Sequence, residues 1–201
     1  MLILASQSPR RKWILSEMGL TYTVRVSNAD ETPPAGAAPQ EAAVAVAARK
    51  AQTVERGPDD VVIGADTTVL TPDGEVFGKP HTREEAERML QALSGRTHVV
   101  ITGIAVLRGD TLLQRAVETR VRFRDLTAAE IEAYIDTGEP FDKAGAYGIQ
   151  GRAAWLVDVI DGDFFNVVGL PVAPLGEMLR EVGFDVWKDG GSSCASSGNP
   201  D

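Results

Sequence analysis

Leu2 to Ala5 is a short unbroken apolar run, which predicts a buried strand. It ends in Ser6-Gln7-Ser8-Pro9, where Ser8 is a residue type that caps helices and Pro9 suits the first helical position. Ile14, Leu15 and Met18 then give one apolar face, and Gly19 stops the helix. Thr21 to Val26 is β-prone, residues 27–38 (SNADETPPAGAA) read as a loop, and Pro39 opens an alanine-rich helix reaching Val54. Val61 to Gly64 predicts a second buried strand, with Ala65-Asp66-Thr67 just past its end. Pro72-Asp73-Gly74 signals a turn. Capping boxes at Thr82–Glu85 and Thr127–Glu130 start helices that stop near Gly95 and Gly138. The β-prone runs 97–107 and 111–124 flank Gly109-Asp110 as a hairpin. Trp155 to Ile160 predicts a strand, and Pro171 opens a last helix to Val182. Strands and helices mix without a strict rhythm, which predicts an α/β fold with a mixed central sheet flanked by helices.

Composition narrows the setting. The 201 residues, 43% of them hydrophobic, suffice for one domain with a substantial core. The stretch from Lys188 to Asp201, KDGGSSCASSGNPD, is Gly- and Ser-rich without apolar periodicity, so the domain is expected over 1–187 and a flexible tail over 188–201. A net charge of -9 argues against a nucleic-acid partner, though a small anion needs only a local basic cluster. The single Cys194 excludes a disulfide within one chain and fits a reducing compartment. No signal-like segment opens the chain, and no run approaches the ~20 apolar residues of a membrane span. The expectation is a soluble cytoplasmic domain.

Four segments carry candidate chemistry. Ser6-Gln7-Ser8-Pro9-Arg10-Arg11 puts two hydroxyls and two guanidiniums at a helix N-terminus, which makes a phosphate site or simply a capped helix with surface arginines. Arginine in a first turn opposes the helix dipole, and an anion would relieve that. Asp66, after its strand, stands where metal ligands and bases often lie, although a turn-forming Asp fits as well. Gly78-Lys79-Pro80 with Gly74 misses the P-loop by one residue of spacing and places Pro80 where Ser or Thr must hold magnesium. Lys79 remains a candidate phosphate ligand or an exposed turn lysine. Asp142-Lys143-Ala144-Gly145-Ala146-Tyr147-Gly148-Ile149-Gln150-Gly151 carries three glycines at three-residue spacing, which would allow close backbone approach to a ligand. Arg120, Arg122 and Arg124 alternate along a strand and read as its solvated face. His81 and His98 are the only histidines, and neither zinc-hydrolase nor serine-nucleophile patterns occur.

Taken together, SQSPRR, GADT, GKP, LSGRTH and DKAGAYGIQG, in that order, resemble the Maf family of nucleoside triphosphate pyrophosphatases, from Leu2 to Leu179. The resemblance implies a fold shared with inosine-triphosphate pyrophosphatases, with two lobes around a nucleotide cleft. It implies hydrolysis between the α- and β-phosphates with a divalent metal, Mg²⁺ or Mn²⁺. Within the family, the first Arg after SP, the Thr after GAD and the Gln of IQG distinguish the branch acting on dTTP and UTP. Arg10, Thr67 and Gln150 match that branch. Ser6, Arg10, Arg11, Lys50 and Lys79 are the expected substrate ligands, Asp66 the catalytic base or metal ligand, and Glu31 a further metal ligand. A glutamine both donates and accepts, which suits it to the edge of uracil or thymine. The resemblance also implies a homodimer. Two rival readings remain at this point: a pyrophosphatase with another base preference, and a nucleotide-binding regulator of cell division without turnover.

Overall fold

The computed structural model describes residues 1–189. A seven-stranded mixed sheet runs in the order β2-β1-β3-β5-β6-β7, with β4 also paired to β3. Strands β1 (Leu2–Leu4), β2 (Thr23–Val24) and β3 (Val61–Leu70) are parallel where they pair. Strands β4 (Val76–Phe77), β5 (Thr97–Arg108), β6 (Thr111–Phe123) and β7 (Val157–Asp161) add antiparallel ladders. Six α-helices accompany them among the described residues: α1 (Pro9–Glu17), α2 (Pro39–Thr53), α3 (Arg83–Leu93), α4 (Ala128–Ile135), α5 (Phe164–Val168) and α6 (Val172–Glu181). Three 3-10 turns, Glu139–Asp142, Ala144–Ala146 and Gly151–Leu156, fill the link from α4 to β7.

The alternation along β3 and β5 divides the interior. Ile63, Ala65 and Val69, with Val100, Ile104 and Val106, pack with the apolar faces of α1, α3, α4 and α6. Val62, Ala105 and Leu107 face α2 instead, against Ala47, Ala48 and Ala51. Helix α2 lies unusually close to the sheet because both surfaces are bare there. A Cβ on Gly64 would sit 2.1 Å from the Ala47 carbonyl oxygen, and one on Gly103 would sit 2.3 Å from the Ala43 carbonyl carbon. The alanine run predicted to be helical is thus also the run that lets a helix backbone touch a sheet.

Most predicted elements are present, with instructive differences. Thr82 and Thr127 cap their helices as expected, accepting from the N–H of Glu85 and Glu130. Pro9 opens α1, but Ser8 makes no side-chain cap; its own N–H donates to Ser6 Oγ at 3.2 Å. Strand β3 does not stop at Gly64 but continues through Thr67, Thr68 and Val69, whose branched side chains suit a pleated surface, and it pairs with β5 up to Leu70. Asp66 therefore lies within a strand, not beyond its end. The β-prone run from Thr21 shrinks to two residues, and Trp155 sits 78% exposed in a 3-10 turn before β7. The sequence pattern did not predict β4 or α5, each no longer than five residues. Arg120, Arg122 and Arg124 do form a solvated face, pairing with Asp161, Asp158 and Glu130. Of the expected tail, only Lys188 and Asp189 are described, both hydrogen-bonded to Asp185; residues 190–201 lie outside the described residues.

Candidate active site

The topology leaves a notch in the sheet. Strand β1 pairs with β3 only at Val61 to Ile63, and β4 only at Val69 and Leu70. Between them, Gly64 to Thr68 pair with β5 on one side, and the other edge opens into a cleft of about 870 Å³. Ser6 to Arg11, Glu31, Lys50, Asp66 to Val69, Gly78-Lys79, Asp142 to Ala144 and Tyr147 to Gln150 line it. That volume is in the range of small-molecule sites. All nine residues expected from the sequence lie on this one cleft.

Adjacent strand residues point to opposite faces, so Asp66 and Thr67 serve two different clusters. On the α2 face, Lys50 Nζ donates to Asp66 Oδ1 at 2.8 Å and lies 3.1 Å from Glu31 Oε2. Lys50 is nearly buried, and the close seat of α2 on Gly64 and Gly103 is what brings it within reach. Glu31 comes from an exposed loop pinned to α2 by Arg49 and Asp30. One ammonium thus bridges two carboxylates and uses one oxygen of each.

On the opposite face lies Arg11, 9% exposed. Its Nε donates to the Gly169 carbonyl at 2.8 Å, and Nη1 donates to Ser6 Oγ at 3.1 Å and the Ala65 carbonyl at 2.9 Å. Nη2 donates to Thr67 Oγ1 at 3.1 Å. A guanidinium has five N–H donors, so one remains for a ligand. Burial pushes the Arg11 pKa below its ordinary value, with the Asp66 carboxylate opposing that shift. No carboxylate touches Arg11 directly. A buried cation held by neutral oxygens is a site prepared for an anion.

The outer wall is built differently. Arg10 reaches across the cleft to Asp142, 2.9 Å to Oδ2 and 3.1 Å to its carbonyl oxygen. Lys143 Nζ takes Asp142 Oδ1 at 2.5 Å and the Glu139 carbonyl at 2.6 Å. Burial works to raise the Asp142 pKa, but the hydrogen bonds from Lys143 and Arg10 outweigh it and hold it below the ordinary value. The three glycines here do not open space for a ligand. A Cβ on Gly145, Gly148 or Gly151 would meet Val69, Lys143 or Glu139 respectively, so they let the chain pack on itself. Gly145 has φ +70°, and its N–H donates to the Gly78 carbonyl, tying this segment to the Gly78-Lys79 loop. Tyr147 is largely buried in the wall, its hydroxyl 2.7 Å from His98 Nε2. Burial lowers the His98 pKa to about 4, so it is neutral near pH 7. Lys79 is exposed and Gln150 half-buried, both on the cleft.

The family model described as Maf-like protein matches residues 1–182. The chain belongs to the Maf family. A relative named dTTP/UTP pyrophosphatase from Symbiobacterium thermophilum is 50% identical over 190 residues, covering 94% of this chain and 97% of its own. Another of that name, from Moorella thermoacetica, is 50% identical over 190 residues, covering 92% and 97%. A HAM1 protein structure from Coxiella burnetii aligns with 15% identity and a TM-score of 0.49, covering 90% of this chain and 98% of that one.

In this Maf chain the structure adds residues the sequence reading left out of the site. Asp142 and Lys143 were legible as an acid–base pair within the glycine-rich segment, but their grip on Arg10 was not. Thr102, Asn166 and Gly169 carry no local signal; they matter only because β5 and α5 pack behind Thr67 and Arg11.

As for a metal, no group of three or more His, Cys, Asp or Glu gathers among the described residues. The donor set is the two carboxylates of Asp66 and Glu31, each with one oxygen left by Lys50. That is too few for a protein cage but fits Mg²⁺ or Mn²⁺ arriving with a triphosphate, since such ions commonly take one or two carboxylates plus phosphate oxygens.

Proposed function

We propose that this protein hydrolyses dTTP and UTP to the nucleoside monophosphate and pyrophosphate. The observation that carries this reading is the cleft floor, where a carboxylate paired with a buried lysine stands one residue from a hydroxyl bonded to a buried arginine with an N–H to spare. Family membership and the names of the two relatives support the same reaction. A triphosphate carries about four negative charges, and in an acidic protein a local cluster must hold them. Arg11, Lys79 and Ser6 are the phosphate ligands, joined by Arg10 and Lys143 from the outer wall. Asp66 and Glu31 would hold the divalent ion, which supplies charge neutralisation at the reacting phosphate. Lys50 fixes the orientation of the Asp66 carboxylate. Through its one free oxygen Asp66 either takes the proton of the water that attacks the α-phosphorus as the bond to the β-phosphate breaks, or serves as a ligand of the ion that activates that water. Gln150 reads the base edge, with Thr67 and Arg10 shaping that preference. The reading extends to modified pyrimidine nucleotides as further substrates and to a cytoplasmic setting.

The test is pyrophosphate release from dTTP, UTP, CTP, GTP and 7-methyl-GTP, with metal stripped and then restored. Turnover of dTTP and UTP is expected, lost on chelation and recovered with Mg²⁺ or Mn²⁺. Asp66→Asn should lower turnover by about 10²–10⁴-fold while nucleotide binding survives. Tight binding by the wild-type chain with no release from any nucleotide would replace catalysis with a regulatory role.

A further inference from the structure

Behind the cleft floor runs a hydrogen-bonded chain whose direction is fixed by donor counting. Thr102 Oγ1 lies 3.0 Å from the Asn166 carbonyl oxygen, and a carbonyl only accepts. The single hydroxyl proton of Thr102 is therefore spent there. Thr67 Oγ1 lies 2.9 Å from Thr102 Oγ1, so in that contact Thr67 donates and Thr102 accepts. Arg11 Nη2 in turn donates to Thr67. The order is Arg11 to Thr67 to Thr102 to the Asn166 carbonyl, with every proton assigned. The far end is anchored as well. Asn166 Nδ2 donates to the Val100 carbonyl at 3.1 Å and to Thr119 Oγ1 at 3.0 Å. Asp163 caps α5 by accepting from the N–H groups of Phe165 and Asn166. The same short helix delivers the Gly169 carbonyl to Arg11 Nε.

We infer that Thr102, which is fully buried and does not line the cleft, is a positioning residue for substrate binding: through Thr67 it fixes the Arg11 guanidinium so that its one free N–H meets a substrate phosphate. A guanidinium is planar, so setting Nε by Gly169, Nη1 by Ser6 and Ala65, and Nη2 by Thr67 leaves its last N–H a single direction. Thr67 can serve as a fixed acceptor only while its own proton has a place to go, and Thr102 provides that place. The inference rests on the proposed nucleotide hydrolysis for its kinetic readout but not for its spectroscopic one.

The experiment compares Thr102→Val, nearly the same shape without the hydroxyl, with Thr102→Ser, which keeps it. For UTP and dTTP, kcat/KM should fall by about ten- to a hundredfold in Thr102→Val and return close to wild type in Thr102→Ser. In an Arg11→Lys background, where the planar donor fork is already gone, adding Thr102→Val should cost little more. Independently of turnover, the Arg11 Nε–H should give a slowly exchanging NMR signal in the wild type and exchange faster in Thr102→Val. Thr67→Val cuts the chain one link closer and carries the exchange measurement if Thr102→Val does not fold. Equal losses with or without Arg11, or Nε–H exchange unchanged in the variants, would overturn the inference. A wild-type protein that turns over no nucleotide while its Arg11 signal still responds to Thr102 would instead overturn the hydrolase reading and leave this one standing.

Discussion

The two sides of the cleft are built on opposite plans. The floor is carried by β3 and braced from both faces, by α2 through Lys50 and by α1 and α5 through Arg11. Where α2 meets Gly64 and Gly103 the contact is backbone on backbone. The outer wall is a run of 3-10 turns held by ion pairs among Arg10, Asp142 and Lys143, and its glycines press on side chains. On the proposed reading the floor handles charged phosphates and a reacting water, and it gains from fixed geometry because small misplacements cost rate. On the same reading the wall adds Arg10 and Lys143 to the phosphates and Gln150 to the base, and side-chain contacts let it adjust to both.

The largest expected effect tests the stiffness of the floor. Gly103→Ala drives a methyl into the Ala43 backbone, which cannot swing away, and should cost about 3 kcal/mol or more by chemical denaturation. A loss within 0.5 kcal/mol, about the scatter of a surface change, would mean α2 is free to lift from the sheet.

His98 joins the two sides, reaching from β5 to Tyr147 in the wall. Its folded pKa of about 4 lies below the ordinary value of 6.5, so the unfolded chain binds its proton more readily between those values. Stability from this group is full above pH 6.5 and drains away as pH falls toward 4, by at most about 3 kcal/mol. The melting temperature should drop more steeply over that range in the wild type than in His98→Gln. Parallel slopes would show that His98 is not the sensitive joint.

Next in size is base reading by the wall. Gln150→Glu should lower kcat/KM for dTTP and UTP by roughly tenfold while guanine nucleotides lose much less, because a carboxylate cannot donate to a pyrimidine carbonyl. A uniform loss across nucleotides would make Gln150 a support of the loop. The smallest effect is Gly148→Ala. The added methyl meets the stem of Lys143, a flexible side chain, so stability should change by less than about 1 kcal/mol while nucleotide affinity falls a few-fold. A stability loss as large as that of Gly103→Ala would erase the contrast between floor and wall.

The sequence by itself determined most of the elements and named the residues that gather on one cleft. Apolar runs, capping boxes and Pro and Gly punctuation are local signals, and they placed the β5–β6 hairpin, the start of β3 and five of the six described helices. Ser6, Arg10, Arg11, Asp66, Thr67, Lys79 and Gln150 were legible because ordered motifs name them; Glu31 and Lys50 lie outside those motifs and came from the resemblance. Tertiary structure alone decided how they are used. That Asp66 lies mid-strand follows from β3 continuing along β5, and that its edge is open follows from β1 and β4 being too short to cover it. The assignment of Asp66 and Thr67 to opposite faces, the capture of Lys50 by two carboxylates and the Thr102 chain behind Arg11 all join residues far apart in the chain. Such pairings leave no periodicity in the sequence, because they depend on which strands neighbour one another and how closely a helix can approach them.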